Sequence, residues 1–105
     1  MSILLDPEGL ETRALFELVG SFIGLRVLEV GCGDGRLTWR YAEQAASVVA
    51  IDPGAEKIAL ARASLPAGWE GRVDFQATDL VQFASQYPDS NHSTKFDLAI
   101  LSWSL

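Results

Sequence analysis

A chain of 105 residues is long enough for one small domain, and its 49% apolar and 21% charged residues are typical of a folded globular protein. Its net charge is −6, from 14 acidic and 8 basic side chains, and no cluster of Lys and Arg suggests a nucleic-acid surface in this segment. The single cysteine excludes an internal disulfide and a multi-cysteine metal site, and we predict no metal site.

The start of the chain resembles neither a targeting signal nor a membrane segment. Met1–Asp6 has no basic region, and its apolar run is too short for a signal peptide. No stretch approaches the roughly 20 apolar residues that are needed to cross a bilayer. We therefore expect a cytoplasmic protein that does not enter a membrane.

Helical and extended patterns alternate along the chain. Asp6-Pro7 is typical of a helix start, and apolar residues at every fourth position predict a helix over about 8–23 that Gly24 ends. The later elements, in chain order, are a strand at 26–30, a helix at about 36–46, a strand at 47–51, a helix that Pro53 opens, a strand at 72–76, a short helix after Asp79 and a strand at 96–101. This alternation predicts a single α/β domain over 1–105, with a parallel sheet and helices on its faces.

Glycines occupy alternate positions directly after the first strand of this pattern. Gly31, Gly33 and Gly35 can adopt positive φ angles and let a ligand approach the backbone closely. The helix that follows directs its unpaired N–H groups and its positive dipole end at the same space. The pattern predicts a binding site for a group that is partly anionic or rich in hydrogen-bond acceptors.

Polar residues stand at the carboxyl ends of the other strands, where ligands of parallel sheets bind. Asp52 ends the second strand, Asp79 follows the third, and Ser102 follows the fourth. Asp52 lies 17 residues past Gly35, at the position where a carboxylate accepts hydrogen bonds from the ribose hydroxyls of a nucleotide. Arg36 stands where a dinucleotide fingerprint needs its third glycine, and the sequence contains no phosphate-binding P-loop.

Three residues in and around these strand ends have two interpretations each. Glu29, at the end of a buried strand, either hydrogen-bonds local backbone N–H groups or meets a cationic group of a ligand, because an unpaired buried carboxylate is costly. Asp79 either contacts the ligand or caps the helix that follows it. Cys32 lies inside the glycine turn, and we interpret its side chain as a small neutral filler rather than a nucleophile.

The sequence resembles the successive motifs of class I S-adenosylmethionine-dependent methyltransferases. The likeness covers nearly the whole chain from Val27 onwards, in the family's order and spacing. The segments that carry it are 27–38, 48–53, 77–80 and 96–102. The resemblance implies a three-layer, Rossmann-like parallel sheet that contains strands in the order 3-2-1-4, and S-adenosyl-L-methionine as the cofactor.

The resemblance also implies roles for individual positions. Glu29 and the backbone of the glycine turn would hold the methionine part of the cofactor, and Asp52 would accept hydrogen bonds from the ribose. Pro53 would lie against adenine, Asp79 would accept from its amino group, and the Leu80 N–H would donate to a ring nitrogen. The positions expected to bind the cofactor are Glu29, Gly31, Cys32, Gly33, Gly35, Asp52, Pro53, Thr78, Asp79, Leu80 and Ser102. No catalytic residue is predicted.

The family's sheet has further strands, in the order 3-2-1-4-5-7-6, and the sequence supplies only the first four. Without strands five to seven, the segment 96–101 is expected to be an exposed edge, which favours self-association. We expect the chain to be either a truncated part of a longer methyltransferase or a half-domain completed by another copy or a partner. The methyl acceptor is unknown.

Three hypotheses about function follow. The chain is the cofactor-binding part of a methyltransferase, or it is a cofactor-binding or regulatory module without turnover of its own. The third is a nicotinamide-dependent Rossmann domain, which Arg36 disfavours.

Overall fold

The part of the chain that the structure describes forms a parallel five-stranded sheet with helices on both faces. The computed structural model describes residues 2–6, 20–86 and 96–102. The strands are β1 (Ser2–Asp6), β2 (Arg26–Val30), β3 (Ser47–Asp52), β4 (Val73–Ala77) and β5 (Leu98–Ser102). The helices are α1 (Thr38–Tyr41), α2 (Ala55–Ala63) and α3 (Leu80–Ser85).

The strand order is β1-β5-β2-β3-β4, and all neighbours are parallel. The four predicted strands, numbered 1 to 4 in the sequence, are β2, β3, β4 and β5. Their order in the sheet is β4-β3-β2-β5, so the predicted order 3-2-1-4 is confirmed. Their carboxyl ends lie along one edge, because each crossover returns the chain to the same end of the sheet. The ends of β2, β3 and β4 therefore carry the predicted site residues side by side.

One expectation is wrong: the segment 96–101 is not an exposed edge. β5 pairs with β2 on one side and with β1 on the other, with Ser2 opposite Leu98 and Asp6 opposite Ser102. A strand at residues 2–6 is not predictable from the sequence, because a run of three apolar residues next to Asp6-Pro7 carries no local sign of the strand that it pairs with. The edge left free by strand four is thus covered within the chain.

Alternating side chains on the strands build a core on each face of the sheet. On β2, Val27 belongs to the larger cluster, which α1 and α2 cover, and Leu28 belongs to the smaller one, which contains Phe83 of α3. β5 alternates in the same way, with Ile100 in the first cluster and Ala99 in the second. This period of two on strands buried from both sides is the pattern of a three-layer domain.

Several element bounds differ from the prediction. α1 has four residues, whereas a helix over about 36–46 was expected. α2 begins at Ala55, two residues after Pro53, and its buried residues are Ile58 and Ala61. The predicted helix at 8–23 falls mainly outside the described residues. Residues 20–23 are not helical, since Gly20 has a φ of 85°, which a right-handed helix does not accommodate.

Within the described ranges, no helix is both long and apolar enough to cross a membrane.

Candidate functional site

The glycine turn after β2 places three residues in left-handed backbone conformations. The φ angles of Gly31, Gly33 and Gly35 are 83°, 58° and 90°. The N–H groups of Gly31 and Cys32 both donate to the carbonyl of Ile51, at 2.8 and 3.1 Å. The turn is therefore fixed against the carboxyl end of β3, and its conformation explains the glycines that the sequence places there.

Gly33 and Gly35 are needed for different reasons. A Cβ on Gly35 would lie 3.1 Å from Trp39 Nε1 and 3.2 Å from Phe75 Cζ, so this glycine allows close packing inside the domain. A Cβ on Gly33 would meet Lys57 Cδ at 3.9 Å, which is an ordinary contact. Because packing does not require glycine at position 33, its positive φ angle is the structural reason for glycine there.

Asp52 is held by two backbone amides from different turns. Its Oδ2 accepts the N–H of Gly33 at 2.9 Å, and its Oδ1 accepts the N–H of Gly54 at 2.8 Å. An ionised carboxylate offers about four acceptor positions, and these two bonds occupy one on each oxygen. We call this arrangement the Asp52 clamp. It orients a half-buried carboxylate at the sheet edge with capacity for two further donors.

The end of β4 is attached to the same place. The Thr78 N–H donates to the main-chain carbonyl of Asp52 at 3.0 Å, so the turn after β4 lies beside the Asp52 clamp. Asp79 caps α3, since its Oδ1 accepts the N–H of Gln82 at 2.7 Å. The capping interpretation of Asp79 is thus confirmed, and the cap uses one of its two carboxylate oxygens. Leu80, the next residue, is 44% exposed.

The remaining predicted positions lie along the same edge. Pro53 is exposed directly after β3, and Ser102 ends β5. Because Val30 of β2 is opposite Leu101 of β5, the backbone of Ser102 lies beside the start of the glycine turn. The structure therefore brings the turns after β2, β3 and β4 and the end of β5 to one edge of the sheet, as the sequence predicts.

Glu29 has partners that neither interpretation of the sequence anticipated. Its side chain is fully buried, and its Oε1 accepts the hydroxyls of Thr38 and Tyr41, each at 2.7 Å. The two donors are three residues apart and therefore share a face of α1, a spacing that the sequence does contain. Burial, followed by the charge of Glu29, holds the pKa of Tyr41 well above its ordinary value, so the phenol remains a donor.

Cys32 is buried behind the turn, and its Sγ–H donates to the carbonyl of Gly33 at 3.6 Å. Burial raises the pKa of the thiol, and the nearby charges of Glu29 and Asp52 raise it further. A thiol in this environment stays protonated at neutral pH, so it is inert as a nucleophile. This agrees with the neutral filler that the sequence suggests.

Two further features were not predicted. Gly54 supplies half of the Asp52 clamp, and the sequence signal for it is its place two residues after the acid. A cavity of about 370 Å³ opens on the side of the domain that α1 and α2 cover. Its lining contains none of the predicted site residues and consists of Asp34, Arg36, Trp39, Leu60 and Ser64.

Comparison with known proteins agrees with this geometry. A family model described as a methyltransferase domain matches residues 27–105. A magnesium-protoporphyrin O-methyltransferase of Rhodobacter capsulatus is 36% identical over 66 residues, which are 63% of this chain and 30% of the relative. A ubiquinone biosynthesis O-methyltransferase of Aeromonas salmonicida is 38% identical over 71 residues, 67% of this chain and 29% of the relative. The chain thus spans about 30% of the length of these two relatives.

Solved structures show the same fold. An S-adenosylmethionine-dependent methyltransferase from Mesorhizobium loti superposes with a TM-score of 0.55 at 29% identity, over 65% of this chain and 31% of that chain. A conserved hypothetical protein of Streptococcus pyogenes gives a TM-score of 0.60 at 18% identity, over 71% of this chain and 49% of that chain, which bears on the fold alone. The chain belongs to the methyltransferase domain family, in the class I group that depends on S-adenosylmethionine.

Proposed function

We propose that this chain binds S-adenosyl-L-methionine at the carboxyl edge of its sheet and forms the cofactor-binding part of a methyltransferase. The Asp52 clamp is the observation that carries the proposal. A carboxylate fixed by the amides of Gly33 and Gly54 presents its remaining acceptor positions in a defined direction, which suits the two adjacent hydroxyls of a ribose.

The surrounding residues fit the rest of the cofactor. Gly33 accepts a close ligand, Pro53 offers an exposed ring for the adenine face, and Asp79 retains an acceptor oxygen for the adenine amino group. Leu80 begins α3, and its N–H belongs to the first turn, where helices leave donors for ligands. When bound, the cofactor supplies a methyl group on a sulfonium, and the chain's own contribution is to position it. Positioning of this kind can supply much of the lowering of the barrier to an in-line methyl transfer.

Glu29 has a different place in this proposal from the one that the resemblance implies. A fully buried carboxylate that accepts hydroxyls from Thr38 and Tyr41 ties α1 to β2 from behind the glycine turn. We assign it a positioning role: it fixes the turn that holds the cofactor, and contact with the cofactor's ammonium group is not required for that role.

The acceptor and the turnover belong to the same proposal. Both relatives named above are O-methyltransferases by name, so a hydroxyl is the first class of acceptor to test. The second candidate is a cofactor-binding module without turnover. The observation in its favour is that the chain spans about 30% of those relatives, so residues outside the match form most of each enzyme.

Calorimetry tests the proposal with three ligands: S-adenosylmethionine, S-adenosylhomocysteine and NAD. The two adenosyl compounds are expected to bind and NAD is not. Asp52→Ala should weaken adenosyl binding by about 1–3 kcal/mol, since it removes charged acceptors of the ribose hydroxyls. Asp34→Ala is the matched control, because it removes the same charge from an exposed position of the same turn.

Binding of NAD alone would overturn the proposal. Equal losses in Asp52→Ala and Asp34→Ala would remove the ribose role of Asp52 and would point to a general effect of charge. A methyl-transfer assay with hydroxyl-bearing acceptors then separates the two candidates, since only the first predicts turnover.

A further inference from the structure

The two hydrogen bonds of the Asp52 clamp are made by glycines, which have no side chains to cover them. The side chain of Lys57 lies close to both glycines. Lys57 Cδ lies 3.9 Å from the position of a Cβ on Gly33, and Lys57 Cδ and Cγ lie 3.6 and 3.7 Å from the corresponding position on Gly54. The methylene stem of Lys57 therefore lies beside both glycines of the Asp52 clamp.

The position of Lys57 in α2 explains this contact. Lys57 is in the first turn of α2, three residues after Gly54, and side chains on a helix lean toward its N-terminus. The stem is thereby directed back over the turn that contains Asp52. A lysine can lay its apolar methylenes on such a surface while its ammonium group stays in water, and the residue as a whole is exposed.

Covering the Asp52 clamp has an energetic consequence. Asp52 and Gly54 are half-buried, whereas Gly33 is buried, so water competes most strongly for the bond between the Asp52 carboxylate and the Gly54 amide. An apolar cover lowers the local dielectric and strengthens such hydrogen bonds. We propose that Lys57 is a positioning residue for Asp52: its stem shields the bonds to Gly33 and Gly54 and so keeps the carboxylate aimed at the ligand. The ligand part of this proposal rests on the proposed function, with the ribose as the group that Asp52 receives.

Three variants separate the stem from the charge. Lys57→Ala removes both, and Lys57→Met keeps a long apolar stem and removes the ammonium group. Arg40→Ala is the control for the loss of one positive charge, because Arg40 is exposed at the end of α1. A shielding role predicts that methionine at position 57 protects the hydrogen bonds of the Asp52 clamp as lysine does, and that alanine does not.

The first measurement needs no ligand. Amide hydrogen exchange at Gly33 and Gly54, followed by NMR, reports the opening of the Asp52 clamp. Lys57→Ala should raise both exchange rates roughly tenfold, and Lys57→Met and Arg40→Ala should leave them within about twofold of the wild type. Unchanged rates in Lys57→Ala would overturn the proposal.

The second measurement uses S-adenosylhomocysteine and its 2′-deoxy analogue in calorimetry. Lys57→Ala should weaken the first by roughly three- to tenfold and the second by less, because only the first offers the full pair of ribose hydroxyls. An equal loss in Lys57→Met would assign the effect to the charge and would also overturn the proposal. If the wild type binds no adenosyl compound, the proposed function fails, and the exchange rates still decide the role of Lys57.

Discussion

Single residues of the glycine turn have separable roles, which alanine substitutions can distinguish. Gly35→Ala combines a φ of 90° with a Cβ only 3.1–3.2 Å from Trp39 and Phe75, so we expect a loss of roughly 2–4 kcal/mol in the free energy of unfolding. At Gly33 the φ angle is 58° and an added Cβ would make only an ordinary contact, so Gly33→Ala should lower the free energy of unfolding by about 1–2 kcal/mol. Urea unfolding measures both.

For adenosyl affinity the order of the two variants should be the opposite, with the larger loss in Gly33→Ala. A methyl group on Gly33 would contact the Lys57 stem beside the Asp52 clamp and crowd the proposed ligand site, so Gly33→Ala should lose more adenosyl affinity than its change in stability explains. Equal stability losses in the two variants, or full affinity in Gly33→Ala, would contradict the division of roles.

The buried carboxylate of Glu29 provides the second prediction at this scale. Tyr41→Phe and Thr38→Val each remove one hydroxyl that donates to Oε1 at 2.7 Å, so each should lower the free energy of unfolding by about 1–3 kcal/mol. Thr38→Ser, which keeps the hydroxyl, is the control for Thr38→Val. Tyr41→Phe retains the ring that stacks on Phe22, at 4.6 Å between centroids, so its effect isolates the hydroxyl. Urea unfolding at neutral pH reports the losses, and a Tyr41→Phe variant as stable as the wild type would show that the bond is dispensable.

Sequence patterns identified those residues whose role is set by their own segment. The glycines and Asp52 follow from strand ends and spacing, because a buried strand, a turn and a helix start are local features. The partners of Glu29 and the stem of Lys57 were missed, since each depends on which helix face packs against a turn formed elsewhere. Hydroxyls three residues apart on α1 become donors to Glu29 only after α1 has packed on β2.

At the scale of elements, one ion pair joins the starts of β2 and β5. Asp97 Oδ2 accepts two hydrogen bonds from Arg26, one from its backbone N–H at 2.9 Å and one from its Nε–H at 3.1 Å. Asp97 Oδ1 accepts a third, from Nη2 of Arg26 at 3.0 Å. The Asp97 N–H donates to the Arg26 carbonyl at 2.7 Å. Hydrogen bonds from Arg26 lower the pKa of Asp97 from 3.8 to about 2.

This shift predicts how stability depends on pH. A carboxylate whose pKa is lower in the folded state stabilises the fold above its unfolded pKa, and the contribution is lost as the pH falls through the folded value. The stability advantage of the wild type over Asp97→Asn should therefore be constant above about pH 5 and decline between about pH 4 and pH 2. Urea midpoints across this range measure it. Because the pair is exposed, added salt should reduce the advantage, and an advantage independent of pH would contradict the assignment.

Strand order and element type were predictable from the sequence, whereas the lengths of elements were less so. Alternating strands and helices predict a parallel sheet, and the resemblance to class I S-adenosylmethionine-dependent methyltransferases implies the order of β2, β3, β4 and β5 that the structure has. The helix expected over about 36–46 is only four residues long. The apolar residues Ala42 and Ala45, which extend its pattern, lie after the helix and are packed in the core without being helical. Tertiary packing, rather than periodicity, sets where such a helix ends.

For the whole molecule, β1 changes the expectation about association. The order β1-β5-β2-β3-β4 places β5 inside the sheet, so its backbone groups are paired on both sides. Pairing between segments nearly a hundred residues apart leaves no trace in local patterns, which is why the sequence indicated a free edge. The protection of β5 thus depends on residues 2–6.

Removing Met1–Asp6 tests this dependence. The truncated chain should expose the β5 edge and associate into dimers or larger species, whereas the full chain should remain monomeric under the same conditions. Leu4→Pro is an independent variant, since proline lacks the N–H for ladder pairing, and Leu4→Val is its control because valine favours strands. Light scattering coupled to size exclusion, at several concentrations, gives the mass. A truncated chain as monomeric as the full one would show that β1 does not protect the edge, and association of the full chain would place the contact elsewhere than at β5.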